Sequence, residues 1–310
     1  MPGSPVILDT DIGDDCDDTW ALAMLLRSPE LDLKLVTTAT GDTTYRARLA
    51  ARLLDIAGRT DVPIGIGTPN TGRQTIPRQH EWVKAYSLDN YPGRVHRAGV
   101  QAIIDTIMAS PEPVTLIAIG PLSNVAEALR REPRIAPRTR FVGMHGSFQW
   151  HITSNLNLSL QPGGRPEWNV VCDVPAAHTV FTAPWLQATI TPLDTCGRVV
   201  LDGERYQRLL RSDDPVARAV IENYRIWAST QTQNCDPDSH SSVLFDCVAV
   251  HLAHTTRWLN IRPMTVSVEP DGSTIERADG APFHVALAWD DISAFEANLV
   301  ARLLAPPQSV

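Results

Sequence analysis

Six aspartates crowd one short segment near the start of the chain, directly after the apolar run at residues 6–8. Two like charges about 4 Å apart repel by roughly 1 kcal/mol in water, and by several-fold more near a protein surface. A loop pinned beside a strand cannot spread such charges, so either several carboxyls stay protonated or a cation neutralises them. All-oxygen ligands favour a hard ion, calcium or magnesium, over zinc. The segment reads ILDTDIGDDCDD and contains Asp9, Asp11, Asp14, Asp15, Asp17 and Asp18.

A solvated acidic turn is the simpler interpretation of such a segment. Its position argues for a ligand site, because open α/β sheets bind ligands at the carboxyl ends of their strands. A calcium-binding EF-hand loop does not fit. Counting from Asp9, the sixth position is Asp14 where glycine is needed, and the twelfth is Trp20 where glutamate is needed.

Apolar strand-like and helix-like segments alternate along the chain. Residues 114–119 form a continuous apolar run of the kind found in parallel sheets. Asn124, with Glu127 three residues later, predicts a capping box at the next helix. Strands are predicted at 6–8, 33–38, from 62, 114–119, 140–144, 187–191, 264–268, 274–276 and 284–288, and helices at 19–26, 46–57, 100–108, 176–181 and 292–304.

This alternation predicts an α/β fold with an open, mostly parallel, Rossmann-like sheet flanked by helices. The chain has no internal repeat and no low-complexity linker, so we expect a single catalytic domain over residues 1–310. Functional loops are expected in the segments richest in turn residues, which are 68–77, 153–166 and 232–242.

The composition of the chain limits the classes of binding partner that we expect. The formal charge is −8, with only two lysines and scattered arginines, which argues against a nucleic-acid polymer as partner. No apolar run of about 18 residues predicts a membrane span. Five cysteines without C-x-x-C spacing, and no secretory signal at the start, lead us to expect a reducing, cytoplasmic location.

The acidic segment resembles the N-terminal signature of the inosine–uridine-preferring nucleoside hydrolases, D-x-D-x-G-x-D-D followed by an apolar helix. This chain has two extra residues in the loop. Anchoring on the helix aligns Asp17 and Asp18 with the paired aspartates, whereas anchoring on Asp9 selects Asp15 and Cys16. We prefer the first, because a helix register slips less easily than a loop. Five further blocks follow in the family's order: LVTTATGD (35–42), LLDIAGRTDVPIGIG (53–67), IAIGPLSNVAEALRREP (117–133), PEWNVVCDVPAAHTVF (166–181) and FDCVAV (245–250).

The resemblance implies the nucleoside hydrolase fold and calcium-dependent hydrolysis of the N-glycosidic bond of a ribonucleoside or related riboside, giving ribose and free base. Bond cleavage of this type passes through a ribosyl-cation-like transition state. Calcium would hold a water, lower its pKa and grip the ribose hydroxyls. By resemblance, Asp11 is a metal ligand and the base that activates this water. The other ligands are Asp18, Asp246 and the backbone carbonyl of Ile119, with Asp9 orienting the loop.

The substrate contacts implied by the resemblance lie along the whole chain. Asp17 would bind a ribose hydroxyl, and Asp42 stands where the family has a ribose-binding asparagine. Simpler roles compete for several of the residues assigned by resemblance: Asp246 as a helix cap, Glu167 and Asn169 as ordinary loop residues, and Met144 as core packing. The predicted substrate-binding set is Asp17, Asp42, Met144, Glu167, Asn169 and Phe245.

Phe245 is the main departure from the family pattern. Many members have a histidine at this position, which protonates the departing base, and phenylalanine cannot do so. Aromatic stacking or another acid would have to replace it, although each candidate is more often structural. The candidates are Trp150, Trp227, Trp82 and Tyr86 for stacking, and His145 and His240 as acids, with Asp15 as a further site residue. Cys16 is expected to stay a thiol beside so many carboxylates.

Two other functions remain open. An aspartyl-phosphatase would use Asp9 and Asp11 of the D-x-D sequence, but only Lys84 could hold its phosphoryl group and the neighbouring aspartates would repel phosphate. A calcium-dependent riboside-binding protein would keep the sugar pocket without turnover. The resemblance also suggests a homodimer or homotetramer acting on small nucleosides in purine or pyrimidine salvage.

Overall fold

The computed structural model describes residues 3–69, 76–152, 158–160, 163–231 and 235–306. Its strands are β1 (Ser4–Thr10), β2 (Leu31–Thr38), β3 (Ile64–Ile66), β4 (Val95–His96), β5 (Val114–Ala118), β6 (Thr139–Met144), β7 (Trp150–Ile152), β8 (Leu158–Leu160), β9 (Gln187–Thr191), β10 (Leu259–Val268), β11 (Thr274–Glu276) and β12 (Ala281–Trp289). 

Helices connect most of these strands. They are α1 (Asp17–Leu26), α2 (Thr43–Ile56), α3 (His80–Val83), α4 (Gly99–Ala109), α5 (Ser123–Arg131), α6 (Trp168–Val171), α7 (Val174–Phe181), α8 (Leu193–Cys196), α9 (Gly203–Leu210), α10 (Pro215–Ser229), α11 (Cys247–Leu252) and α12 (Ile292–Leu303). None of the described helices is long and apolar enough to cross a membrane.

Ten of the strands form one sheet in the order β11-β10-β12-β9-β6-β5-β1-β2-β3-β4. Pairing is parallel from β12 through β4, and only the β10 pairings with β11 and β12 are antiparallel. The chain leaves β1 toward β2 on one side and returns to β5 on the other. The predicted open, mostly parallel sheet is therefore confirmed, with β1 and β5 at its topological switch point.

Strand β1 separates two apolar cores because its side chains alternate between the faces of the sheet. Val6 and Leu8 pack in the cluster that includes α1, α10 and α12, whereas Ile7 packs in the cluster that includes α4, α5 and α7. Both faces of the sheet are thus covered, as a parallel sheet requires. The same alternation sends Asp9 and Thr10, at the end of β1, toward opposite sides.

Several boundaries differ from the predicted ones. Helix α1 begins at Asp17, two residues before the expected start, so both Asp17 and Asp18 lie in its first turn. The C-terminal strands β10 and β12 are longer than predicted and build an antiparallel edge. Helices α9 and α10 have no counterpart among the predicted elements. Helix α10 matters for function, because it carries Trp227 to the cavity described below.

The predicted capping box at α5 is wrong. The N-cap residue is Leu122, and no side chain caps the helix. The Asn124 side chain instead donates to Asp9 Oδ1 (2.8 Å) and to the Thr38 carbonyl (3.0 Å), and it accepts from the Thr68 amide (2.8 Å). The residue is fully buried beside the ends of β1 and β2, where its side chain satisfies buried polar groups instead of capping its own helix.

We expect Asn124→Leu to lower the free energy of unfolding by about 3 kcal/mol, because the buried Asp9 carboxylate, the buried Thr38 carbonyl and the Thr68 amide each lose a hydrogen bond. The matched control on the same helix is Glu127→Ala, which removes only surface ion pairs to Arg130 and Arg131 and should lower it by less than about 1 kcal/mol. Urea denaturation measures both values. Equal losses would restore the capping-box interpretation.

Candidate active site

A cavity of about 800 Å³ opens at the carboxyl ends of β1 and β5. Pockets of roughly 300–1,000 Å³ typically hold small molecules and cofactors. Five of the six loop aspartates line it, together with residues from β6, α6, α10 and the start of α11. Its location at the topological switch point is where open α/β sheets bind ligands.

Three carboxylates from distant parts of the chain meet in this cavity. Asp17, Asp18 and Asp246 each offer an oxygen, and these oxygens lie within 4.8 Å of one another. All three residues are buried, with at most 3% of their surface exposed. The structure therefore brings Asp17 and Asp18, and not Asp15 and Cys16, against Asp246.

Local hydrogen bonds hold this cluster in place. The Thr10 hydroxyl donates to Asp18, and the Asp246 amide donates to Asp17 Oδ2 over 3.3 Å. Asp246 occupies the N-cap position of α11, but its side chain accepts no capping hydrogen bond. The carboxylate thus stays directed at the other two acids instead of at its own helix.

Asp11 and Ile119 lie on the wall formed by the ends of β1 and β5. The Ile119 amide donates to the Asp9 carbonyl over 2.9 Å, which ties the two chain segments together. Gly120 permits the close approach, because a Cβ atom there would lie 2.7 Å from Asp11 Oδ1 and 2.8 Å from the Asp11 amide nitrogen. Both Asp11 and Ile119 line the cavity, as their predicted roles require.

The cavity acids resist ionisation. Burial is the main cause, and it raises the pKa of Asp11 to about 7 and the pKa values of Asp17, Asp18 and Asp246 well above the usual range. Repulsion from neighbouring carboxylates adds to the effect. A divalent cation would remove both penalties at once, and an all-oxygen donor set suits a hard ion. The residues present therefore fit such an ion.

Arg46 supplies a permanent positive charge behind the acidic loop. It is almost fully buried, and its guanidinium donates to the backbone carbonyls of Thr40 (2.7 Å) and Ile12 (3.1 Å). Its charge lowers the pKa values of Asp11, Asp14 and Asp18, although burial outweighs it in each case. Arg46 alone cannot neutralise the seven carboxylates that line the cavity, so the need for a further cation remains.

Glu167, Asn169 and Met144 form another part of the cavity lining. Glu167 accepts hydrogen bonds from the amides of Asn169 (2.8 Å) and Gly146 (3.2 Å), while burial raises its pKa to about 7. The side-chain nitrogen of Asn169, Nδ2, donates to the backbone carbonyls of Met144 (3.0 Å) and Ile119 (3.3 Å). These buried contacts differ from the exposed polar loop that was the simpler interpretation, and they place a carboxylate and an amide beside the acidic cluster.

Aromatic residues line a different stretch of wall. Phe245 directly precedes Asp246, and Trp227 reaches the cavity from α10, where its indole N–H donates to the Asp14 carbonyl over 3.0 Å. Asp15 also lines the cavity; its pKa is raised to about 6, chiefly by burial. Trp168 lines it as well and is 45% exposed.

Other predicted residues are not brought to the cavity. Asp42 is exposed and caps α2 by accepting from the Tyr45 amide. Trp150 lies on β7 near Arg198. His145 is fully buried against the Gly120 carbonyl, and burial lowers its pKa to about 4. Trp82, Tyr86 and His240 are likewise outside the described lining.

The Cys16 thiol of the acidic loop is protonated. Cys16 is buried, and burial with the neighbouring Asp15 and Asp17 charges raises the pKa of its thiol, so it stays protonated as expected.

The turn-rich segments that were expected to form functional loops lie partly outside the described residues, at 70–75, 153–157, 161–162 and 232–234. Ile76, Arg78 and Cys235, which lie beside them, line the cavity. Sequence reasoning missed Arg78, because no local pattern distinguishes it from the other arginines.

Asp9, the nucleophile that an aspartyl-phosphatase would need, is not in the cavity lining. Asp9 is fully buried and does not line the cavity, and its Oδ1 accepts from Thr37 (2.5 Å) and Asn124 (2.8 Å). Lys84 pairs with Glu81 on an exposed surface, away from the described lining. Neither residue can reach a phosphoryl group bound in the cavity.

Comparisons with known proteins identify a family over most of the chain. Residues 6–294 match the family model described as inosine-uridine preferring nucleoside hydrolase. A protein of that name from Crithidia fasciculata is 32% identical over 227 residues, covering 70% of this chain and 69% of the relative. The non-specific ribonucleoside hydrolase RihC of Klebsiella pneumoniae is 28% identical over 313 residues, covering 94% and 95%.

Solved structures share the fold. A plant nucleoside hydrolase has a TM-score of 0.80 at 24% identity, with 98% of this chain and 100% of that chain covered. A purine-preferring ribonucleoside hydrolase from Gardnerella vaginalis has a TM-score of 0.75 at 20% identity, with 97% and 98% covered. These likenesses extend over nearly the whole sheet and both helical layers.

The raised pKa values predict how pH and calcium act on stability. Asp11 holds its proton more tightly when folded, so its stabilising contribution is complete below pH about 4 and is lost as pH rises to about 7. In chelator, the melting temperature should therefore fall between pH 5 and pH 8. A calcium ion would bind the ionised, folded form, so the shift it produces should be larger at pH 8.

Asp246→Asn is the control for this measurement, because it removes one buried acid and one cation ligand together. Differential scanning calorimetry should show a weaker fall with pH in chelator and a much smaller calcium shift. A calcium shift of the same size at both pH values in the unmodified protein would contradict the cation site.

Proposed function

The chain belongs to the inosine-uridine preferring nucleoside hydrolase family, which makes it an N-glycosyl hydrolase, and from this premise we propose how its own residues act. The proposed reaction is calcium-dependent hydrolysis of the N-glycosidic bond of a ribonucleoside or related riboside, with ribose and free base as products. Asp11, Asp18, Asp246 and the Ile119 carbonyl would hold the ion.

A bound calcium ion would supply positive charge that acidifies water and attracts the ribose hydroxyls. Asp11, which lines the cavity on the same wall as Ile119, accepts the proton of the attacking water. Glu167 and Asn169, with Asp17, hold sugar hydroxyls and orient the anomeric carbon. Met144 packs near the sugar ring, and Phe245 packs near the base.

The observation that carries this proposal is the meeting of Asp17 and Asp18 with Asp246 in one buried cluster, more than two hundred residues apart in sequence. Burying three mutually repelling carboxylates is destabilising unless a cation binds them. A structural ion alone would not need a cavity of about 800 Å³ beside it. The cavity supports a small-molecule substrate.

We expect the protein to release reducing sugar from members of a panel of purine, pyrimidine and modified ribonucleosides. A calcium chelator should abolish release, and added calcium should restore it. Asp11→Ala should lower kcat by about a thousandfold or more, because the attacking water loses its base, while thermal melting shows that the variant is folded. Asp42→Asn, at an exposed helix cap outside the cavity, is the matched acidic control and should retain activity.

The two alternatives give different results in the same assay. A phosphatase would release phosphate from phosphate esters and no sugar from nucleosides. A riboside-binding protein would bind ribose in calorimetry, in a calcium-dependent way, and leave every nucleoside intact. Either result would overturn the proposed hydrolysis.

We propose a homodimer or homotetramer that acts in the cytoplasm in nucleoside salvage. Size-exclusion chromatography with light scattering measures the oligomeric state directly, and a purely monomeric species at micromolar concentration would contradict that part.

A further inference from the structure

The wall near Phe245 lacks an obvious proton donor for a departing base. Phenylalanine has no exchangeable proton, and the Trp227 indole N–H is already bonded to the Asp14 carbonyl. Neither His145 nor His240 lines the cavity. Among the described lining residues, Arg78 is the one side chain with a positive charge.

The Arg78 side chain lies beside the aromatic part of the wall. Its Nη1 donates to Gln231 Oε1 over 2.7 Å, and Gln231 lies just beyond the end of α10, the helix that carries Trp227. Its Nε lies 3.7 Å from Asp14 Oδ1, longer than a hydrogen bond. Within the described residues, the hydrogen bond to Gln231 uses one of the five N–H donors of the guanidinium. The side chain is 29% exposed, and both it and Gln231 line the cavity.

We propose that Arg78 is a catalytic residue that stabilises the leaving base as an anion, by a fixed charge and hydrogen bonds instead of by proton transfer. This inference rests on the proposed function, because it assigns the base end of the same cavity. A guanidinium stays protonated throughout the pH range in which proteins work, so it can donate hydrogen bonds but cannot act as a general acid.

The chemistry balances without a proton donor. The C1′–N bond breaks and its electron pair stays on the base, while the oxygen of water forms the new bond to C1′ and Asp11 takes the water proton. Arg78 offsets the negative charge on the base. The free base then takes a proton from solvent, and Asp11 returns its proton to solvent, so riboside and water give ribose and neutral base.

A purely structural role for Arg78 is the competing explanation. Its ion pair with Asp14 is long and partly exposed, and such pairs contribute little to stability. The positive charge of Arg46 lowers the Asp14 pKa more than the positive charge of Arg78 does. Compensation of the Asp14 charge therefore does not depend on Arg78 alone. In the described part of the chain, its hydrogen bond to Gln231 orients it along the cavity wall.

The test compares substrates whose leaving groups need different amounts of help. Wild-type protein and Arg78→Gln are assayed with uridine, inosine and a series of substituted phenyl ribosides that ends at 4-nitrophenyl riboside, whose leaving group is a stable anion. We expect Arg78→Gln to lose about 100-fold or more in kcat/KM on the nucleosides, the size of loss seen when one donor to a developing anion is removed. The loss on 4-nitrophenyl riboside should stay within about fivefold.

Across the phenyl series, the dependence of log kcat/KM on leaving-group pKa should be steeper in Arg78→Gln than in wild type. Arg78→Lys keeps the charge and should recover part of the nucleoside activity. Arg131→Gln, on the exposed face of α5 away from the cavity, removes the same charge and should match wild type on every substrate. Calcium-induced thermal shifts report whether each variant keeps the folded site.

Four results overturn the inference. Equal losses on nucleosides and on 4-nitrophenyl riboside would assign Arg78 to the sugar or to folding. Unchanged nucleoside activity in Arg78→Gln would show that the arginine takes no part. If wild type cleaves 4-nitrophenyl riboside but no nucleoside, the base end has no activating residue; if wild type cleaves neither, the proposed function fails and this inference fails with it.

Discussion

Mutual repulsion among buried carboxylates is the constraint on which this structure depends. Burial and neighbouring charge both raise the pKa values of Asp17, Asp18 and Asp246, so the cluster is unstable as three free anions. The fold holds these groups together nonetheless, by hydrogen bonds from Thr10 and from the Asp246 amide. A bound cation would remove this repulsion, so the cluster would favour ion binding although it is destabilising without an ion.

The end of β1 organises the site from both faces of the sheet. Asp9 points to one face, where Asn124 joins it to β2, and Thr10 points to the other, where it holds Asp18 at the start of α1. Gly120 brings the end of β5 against Asp11. A loop held on three sides in this way cannot move its charges apart, so it would present a fixed set of carboxylates to a cation.

The cavity has two chemically different regions. Glu167 and Asn169 present a carboxylate and an amide beside the acidic cluster, which suits a polyhydroxylated sugar. Trp227, Phe245 and Arg78 present aromatic faces and a cation, which suits a flat base that departs with negative charge. Under the proposed mechanism, this division would account for bond cleavage in a chain with Phe245 where many family members have a histidine.

Local sequence alone determined the parallel α/β architecture, the acidic loop after β1 and the family, because apolar runs, turn residues and clustered aspartates are local patterns. It did not determine the partners of polar side chains: Asn124 satisfies the helix-cap pattern, yet it bonds across two strands. It also did not determine which residues reach the cavity. Asp42 follows a strand end but caps α2, and Arg78 reaches the cavity from a segment with no functional pattern. Of the four aromatic residues expected to stack on the base, Trp227 is the one in the described lining. Those outcomes depend on how helices pack over the sheet, which only the tertiary structure decides.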